Sequence, residues 1–151
     1  VSIDAQGYLR EVVDEEVKPV EWKDMKRVLR STGILKLNES EMQTIVGSND
    51  PYEVGKTLAG YGVREVVITL GSYGSVIYAD GKAYDIPAYE PKKLVDATGC
   101  GDTYSTGYLW CRAQGMSIED AGKFAAAMCS LKLEHSGPFD GTIDDIEQLL
   151  G

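Results

Sequence analysis

Along this chain the spacing of apolar positions changes period several times, and each change predicts an element. Val1-Ser2-Ile3 reads as a short strand, with Asp4-Ala5-Gln6-Gly7 as the turn after it. Leu9 to Pro19 is mixed and reads as loop, with a short extended piece around Val12 and Val13. From Glu21 to Ser31, Trp22, Met25, Val28 and Leu29 recur at helical spacing, and Gly33 stops the pattern. Ile34-Leu35-Lys36-Leu37 predicts a strand, and Asn38-Glu39-Ser40-Glu41 opens a helix carrying Met42, Ile45 and Val46. Asp50-Pro51 starts the next helix in the favoured cap-then-proline order, and Tyr61-Gly62 closes it.

Val66 to Leu70 is a continuous, largely β-branched run, as expected of a strand buried on both faces. Gly71-Ser72-Tyr73-Gly74 breaks it. Ser75–Ala79 and Lys82–Ile86 flank Asp80-Gly81, a strong two-residue hairpin signal. Pro87 and Pro91 bracket a connector to a strand end at Leu94-Val95. Three helical segments follow, at about 101–114, 117–135 and 142–150, with Ser117 and Thr142 placed to cap the last two. Strands alternating with helices, then helices alone, predict an α/β layered domain with a mostly parallel sheet, an appended hairpin and C-terminal helices. Ligands gather at the carboxyl ends of strands in such sheets. Three polar, glycine-bearing turns sit at such ends: after Leu37, after Leu70 and after Val95.

Composition narrows the function. A chain of 151 residues fits one domain and can bury a core, and 43% hydrophobic with 26% charged residues is ordinary for a soluble protein. A net charge of −9 opposes general nucleic-acid binding, which needs a basic footprint. Without a membrane-spanning apolar run or a basic-then-apolar leader, the expectation is a cytoplasmic protein that does not bind membranes. Cys100, Cys111 and Cys129 are odd in number and lack paired metal spacing, which predicts reduced thiols and no zinc site.

Candidate chemistry concentrates in Val95-Asp96-Ala97-Thr98-Gly99-Cys100-Gly101-Asp102, which runs directly into a helical segment. A helix start offers backbone N–H groups without intrahelical partners and a partial positive charge. Gly99 and Gly101 free the backbone and let a phosphate approach it. Asp102 opposes an anion there unless it accepts a proton or meets a metal. The same residues also suit an ordinary loop with Asp102 as an N-cap.

Two other turns carry weaker signals. Asn38 and Glu41, three apart at a helix start, suit a hydrated magnesium ion, or equally a cap with a carboxylate at the third helical position. Thr69-Leu70-Gly71-Ser72-Tyr73-Gly74 suits the phosphates of a nucleotide, or a tight link into the hairpin. Gly55-Lys56-Thr57 imitates the end of a phosphate loop, but Asp50 stands where the first glycine is required and the segment reads as mid-helix. His135 is the only histidine and sits near a helix C-terminus, so no Ser-His-Asp or Cys-His system is expected.

Taken together these residues resemble the PfkB, or ribokinase-like, carbohydrate kinase family. Asp96 to Asp102 resembles that family's C-terminal signature, Asn38-Glu39-Ser40-Glu41 its Asn-x-x-Glu motif, and Thr69 to Gly74 its Thr-x-Gly-x-x-Gly turn. Ile3 to Arg10 is similar to a segment that some members carry after a mid-domain strand. The resemblance implies a three-layer ribokinase-like (Rossmann-like) fold and ATP-dependent phosphorylation of a sugar or polyol hydroxyl. It implies Asp102 as the base, with backbone N–H groups of Gly99, Cys100, Gly101 and Asp102 as an anion hole. It further implies Asn38 and Glu41 around Mg2+, and Thr69, Gly71, Ser72 and Gly74 along the nucleotide. Ala126 and Cys129 are expected at the adenine. Asp96 and Thr98 are expected at a monovalent cation such as K+, with Gly137 or Gly141 completing that loop.

Two departures qualify the resemblance. Cys100 replaces the usual alanine, and a thiol at a helix start is open to a lowered pKa as well as to a simple packing role. Family members also have about twice this length, and the correspondence is with their C-terminal half. The expectation is therefore a single domain, residues 1–151, holding the nucleotide-binding and catalytic part without the lid and most acceptor contacts. The alternative is a noncatalytic remnant that binds a nucleotide or a partner. An exposed sheet edge would also permit a homodimer.

Overall fold

The computed structural model describes residues 1–13, 16–19 and 22–151, with side chains at 7 and 10–21 left undescribed. The chain divides into two compact units, residues 1–69 with 76–83, and residues 70–75 with 84–151.

The first unit is built on parallel strands. β1 (Ser2–Asp4), β4 (Ile34–Asn38) and β5 (Glu65–Thr69) pair in parallel, β4 lying between the other two. The sheet order is β1-β4-β5-β6-β7, with β6 (Ser75–Ala79) and β7 (Lys82–Ile86) forming the expected hairpin. Its two turn residues, Asp80 and Gly81, have φ of 52° and 72°, as a two-residue hairpin turn demands. The β-branched and leucine runs fill the core: Leu35, Leu37, Val66, Val67, Ile68 and Ile77 are all buried. Burying each such side chain stabilises the fold by roughly 1.5–3 kcal/mol.

Helices α3 (Glu39–Val46) and α4 (Pro51–Gly60) follow β4 at the predicted starts, after Asn38 and after Asp50, and bury Met42, Val54 and Leu58. In α4, Gly55 packs on β6 so closely that a Cβ would lie 2.7 Å from Tyr78 Cβ. Gly55-Lys56-Thr57 is therefore mid-helix and no phosphate loop.

The amino-terminal stretch departs from expectation in three places. Asp4 to Gly7 is not a plain turn: the Asp4 carboxylate accepts the Gln6 N–H at 3.0 Å and starts the one-turn helix α1 (Gln6–Leu9). In the stretch that reads as loop, the extended piece expected around Val12 and Val13 is β2 (Arg10–Val13), and an unforeseen β3 (Glu16–Pro19) pairs with it antiparallel. Each strand supplies the ladder the other lacks, a partnership that no period in either segment reveals. The helix expected over 21–31 is only α2 (Met25–Leu29), with Glu21 outside the described residues. Buried Thr32 ends it by donating its hydroxyl to the Val28 carbonyl at 2.8 Å.

The second unit is mainly helical: α5 (Cys100–Ala113), α6 (Ile118–Leu133) and α7 (Ile143–Leu150). α5 and α6 pack closely because Gly107 faces Ala125, where a Cβ on Gly107 would sit 3.4 Å from the Ala125 Cα. Ser117 and Thr142 cap α6 and α7 as expected. Leu94-Val95 is not a strand. Both residues are exposed, and the Val95 N–H donates to the Leu133 carbonyl at 2.8 Å, so the segment docks on the end of α6 instead. No described helix is long and apolar enough to cross a membrane.

Candidate active site

In the second unit, the turn before α5 is set by local bonds. Asp96 Oδ1 accepts the Thr98 N–H at 2.9 Å, and Gly99 then takes φ 80° as the N-cap residue of α5. That left-handed conformation requires glycine, although a Cβ there would meet open space. Gly101 needs no such freedom, since it lies inside the helix and its φ is not positive. Cys100 donates its N–H to the Ala97 carbonyl at 3.2 Å, and Thr103 donates to the Gly99 carbonyl at 2.9 Å. Between them, the N–H groups of Gly101 and Asp102 have no acceptor among the described residues. No side chain caps this helix.

Asp102 stands at the third position of α5, not at the cap, with its side chain exposed. Among the described residues no hydrogen bond engages its carboxylate. A carboxylate and two unengaged N–H groups thus share one exposed helix turn, an arrangement able to hold a phosphoryl group and accept a proton.

Cys129, expected at the adenine, lies against this turn: its Sγ donates to the Cys100 carbonyl at 3.3 Å. A hydrogen bond from Cys129 lowers the Cys100 thiol to about 7, burial opposing this and the Lys132 ammonium assisting. Cys111, by contrast, is pushed up to about 11 by burial and is a packing residue. Ala126 is buried in the same helix as Cys129.

The backbone and hydroxyl of Thr98 lower the Asp96 carboxyl from its ordinary value, with further help from Lys132 and the Gly137 N–H. Gly137 therefore does reach Asp96, whereas Gly141 faces Phe139. Lys132 was not legible as a site residue, because a lysine in the last turn of a helix ordinarily serves the helix dipole from solvent. Here its side chain is 1% exposed and its Nζ lies 3.1 Å from the Asp96 carbonyl oxygen. Also unforeseen is a buried hydrogen bond of 2.7 Å between the Ser75 and Tyr104 hydroxyls. Burial raises the Tyr104 phenol far above its usual range, so Tyr104 is a neutral strut under α5.

The glycine turn after β5 also belongs to this unit. Gly71–Tyr73 forms a 3-10 turn, and the Leu70 N–H donates to the Gly74 carbonyl at 2.8 Å. Gly71 and Ser72 are exposed, whereas Gly74 is buried at φ 96° with a Cβ position only 2.2 Å from the Ile86 carbonyl oxygen. Gly74 is required by the hairpin link. A cleft of about 660 Å3 lies beside Lys132, with Lys92, His135, Phe139, Asp145 and Leu149 along it. Of the residues expected at the site only Gly141 lines it.

In the first unit, Asn38 and Glu41 form a complete capping box. Asn38 Oδ1 accepts the Glu41 N–H at 3.1 Å, and Glu41 Oε2 accepts the Asn38 N–H at 2.9 Å. Strand register sets Asn38 beside Thr69, at the carboxyl ends of adjacent parallel strands. Thr69 donates its hydroxyl to the Leu37 carbonyl at 3.4 Å. Among the described residues no group of three or more His, Cys, Asp or Glu is placed to hold a metal.

Comparison with known proteins establishes the family and the fold. The profile of the pfkB family carbohydrate kinases matches residues 5–145, and the chain belongs to that family, with an α/β ribokinase-like fold. A 2-dehydro-3-deoxygluconokinase of Dickeya dadantii is 32% identical over 136 residues, covering 83% of this chain and 44% of the relative. A pyrophosphate-dependent kinase in the ribokinase family, solved with a pyrophosphate analogue and myo-inositol, superposes with TM-score 0.85 at 32% identity, over 97% of this chain and 52% of that one. A putative ribokinase II structure from E. coli holding ATP and Mg2+ gives TM-score 0.74 at 27% identity, over 83% and 41%. The chain thus spans about half the length of these relatives or less.

Proposed function

We propose that this chain carries phosphoryl-transfer machinery that phosphorylates a hydroxyl of a sugar or related polyol, with ATP as donor. The observation that carries the reading is the start of α5, where unengaged N–H groups of Gly101 and Asp102 adjoin the exposed Asp102 carboxylate. Asp102 takes the proton of the acceptor hydroxyl as its oxygen attacks the γ-phosphorus. The bond from that phosphorus to the β–γ bridging oxygen breaks, and ADP leaves. The α5 turn stabilises charge on the transferring group, which is most of what phosphoryl transfer asks of a protein.

Magnesium keeps several waters and takes few protein ligands. The amide and carboxylate of Asn38 and Glu41 would meet that demand through the ion's water shell. Bound there, it would neutralise phosphate charge. Thr69, Gly71 and Ser72 serve the nucleotide through small side chains and backbone; Gly74 shapes their turn, and Ala126 and Cys129 lie on the helix assigned to the base.

A second reading, with pyrophosphate as donor, is favoured by one observation. The pyrophosphate-dependent relative superposes better, and over more of this chain, than the relative holding ATP. Calorimetry with Mg2+ and either a nonhydrolysable ATP analogue or methylenediphosphonate separates the two. Magnesium-dependent binding of the nucleotide analogue is expected. Binding of the diphosphonate alone favours the second donor, and no heat with either overturns both. A turnover assay on inositols, ribose, nucleosides and deoxyketogluconate then tests catalysis against a noncatalytic nucleotide-binding role.

A further inference from the structure

The family resemblance calls for a monovalent cation at Asp96 and Thr98, and the Asp96 oxygens are already engaged. Lys132 extends from the last turn of α6 into the protein, its side chain 1% exposed. Its ammonium lies 3.1 Å from the Asp96 carbonyl oxygen and 3.7 Å from Asp96 Oδ2. Asp96 Oδ1 accepts the Thr98 N–H. An isolated ammonium this deeply buried would be very unfavourable, so Lys132 depends on these oxygens as they depend on it.

The same helix holds the other side of the turn. Leu133 accepts the Val95 N–H at 2.8 Å, and Cys129 donates to the Cys100 carbonyl at 3.3 Å. α6 therefore grips the segment just before and just after Ala97–Gly99, and its lysine brings a positive charge to the foot of the phosphate-facing turn. We propose that Lys132 is a tethered cation, a positioning residue that takes the place of a dissociable monovalent ion, so that the α5 turn keeps its shape and field without added K+. This rests on the α5 turn being a phosphate site, but its cation arm does not.

The test uses the whole chain, wild type and Lys132→Ala, with Lys132→Met as the isosteric neutral control. Thallium-205 NMR and thermal unfolding are compared in KCl, LiCl and choline chloride at equal ionic strength, without nucleotide. Wild type should bind no Tl+ and unfold at one temperature in all three salts. Lys132→Ala should bind Tl+ and recover stability in KCl or with methylammonium, whereas a merely structural loss would not respond to either. Binding of the Mg2+-nucleotide analogue by wild type should vary less than twofold among the salts and fall about tenfold in Lys132→Ala in choline. Tl+ binding by wild type, or analogue binding improved tenfold by K+, overturns the proposal. If Lys132→Ala does not fold, the wild-type cation series decides alone. If the analogue binds in no salt while that series stays flat, the nucleotide reading fails and the tethered cation stands.

Discussion

Two helix starts in this protein each place an acidic residue at the third helical position and use it to opposite effect. At α3, Asn38 and Glu41 close on each other, so that side chains accept the Asn38 and Glu41 N–H groups. At α5, a glycine takes the cap position and the Gly101 and Asp102 N–H groups are left without a described acceptor, beneath an exposed carboxylate. Of the described helices with eight or more residues, α3, α4, α6 and α7 have side-chain caps and α5 alone has none. A capped start has a side chain accepting one of its first-turn N–H groups, whereas an uncapped start with glycine leaves that donor open to an anion. The acidic residue near each start therefore acts differently. Glu41 joins the cap, and Asp102 faces outward.

The largest effect that would sharpen this contrast is at Asp102. Asp102→Asn should lower turnover by about 10²–10⁴-fold while leaving thermal unfolding unchanged, since no described bond depends on the carboxylate. Retained turnover would remove its role as base. Next, Gly99→Ala should destabilise by about 1–2 kcal/mol, because it forces a Cβ into the left-handed region, and should weaken analogue binding as the turn shifts. Gly99→Asn, a residue that tolerates this conformation, should lose less.

At the capped start the order reverses. Asn38→Ala should lower stability by about 1 kcal/mol, read as a fall of about 2–4 °C in the unfolding midpoint, and Asn38→Asp should restore it. Smaller still is the effect of Cys129→Ala, measured by alkylation of Cys100 against pH. The midpoint should rise from about 7 toward the ordinary 9.0, because the hydrogen bond that favours the Cys100 thiolate is lost. The last test is at Asp96, whose carboxylate faces the buried Lys132 ammonium. Its folded pKa lies below the ordinary 3.8, so the stability it contributes is present above that pH and is lost as the pH falls through the folded value. Asp96→Asn should therefore be less stable at neutral pH, and the gap should close in acid denaturation below pH 3.8.

Most of this fold was legible because its strongest signals are local. Pro51 after Asp50, Ser117, Thr142 and Asp80-Gly81 act within one turn, and all lie where the spacing predicts. The extended piece at Val12 and Val13 was legible, but β3 and its pairing with β2 were not, since that strand is stabilised by its partner and has no period of its own. Leu94-Val95 misled for the opposite reason: an apolar pair beside a glycine motif resembles a strand end, yet its N–H group is taken by α6. At the site, the residues of Asp96–Asp102 could be read directly. The division of labour among them could not, because Gly99 and Gly101 look alike until φ is known. Lys132 was hidden by its setting, where only the direction of the side chain separates a solvated lysine from a buried one.

The central claim is that the open start of α5 holds the transferring phosphoryl group. Amide NMR on the whole chain during titration with the Mg2+-loaded ATP analogue tests it most directly. The Gly101 and Asp102 resonances should show the largest shifts, saturating with the calorimetric binding curve. Saturable binding that moves other amides while leaving Gly101 and Asp102 in place would contradict the account.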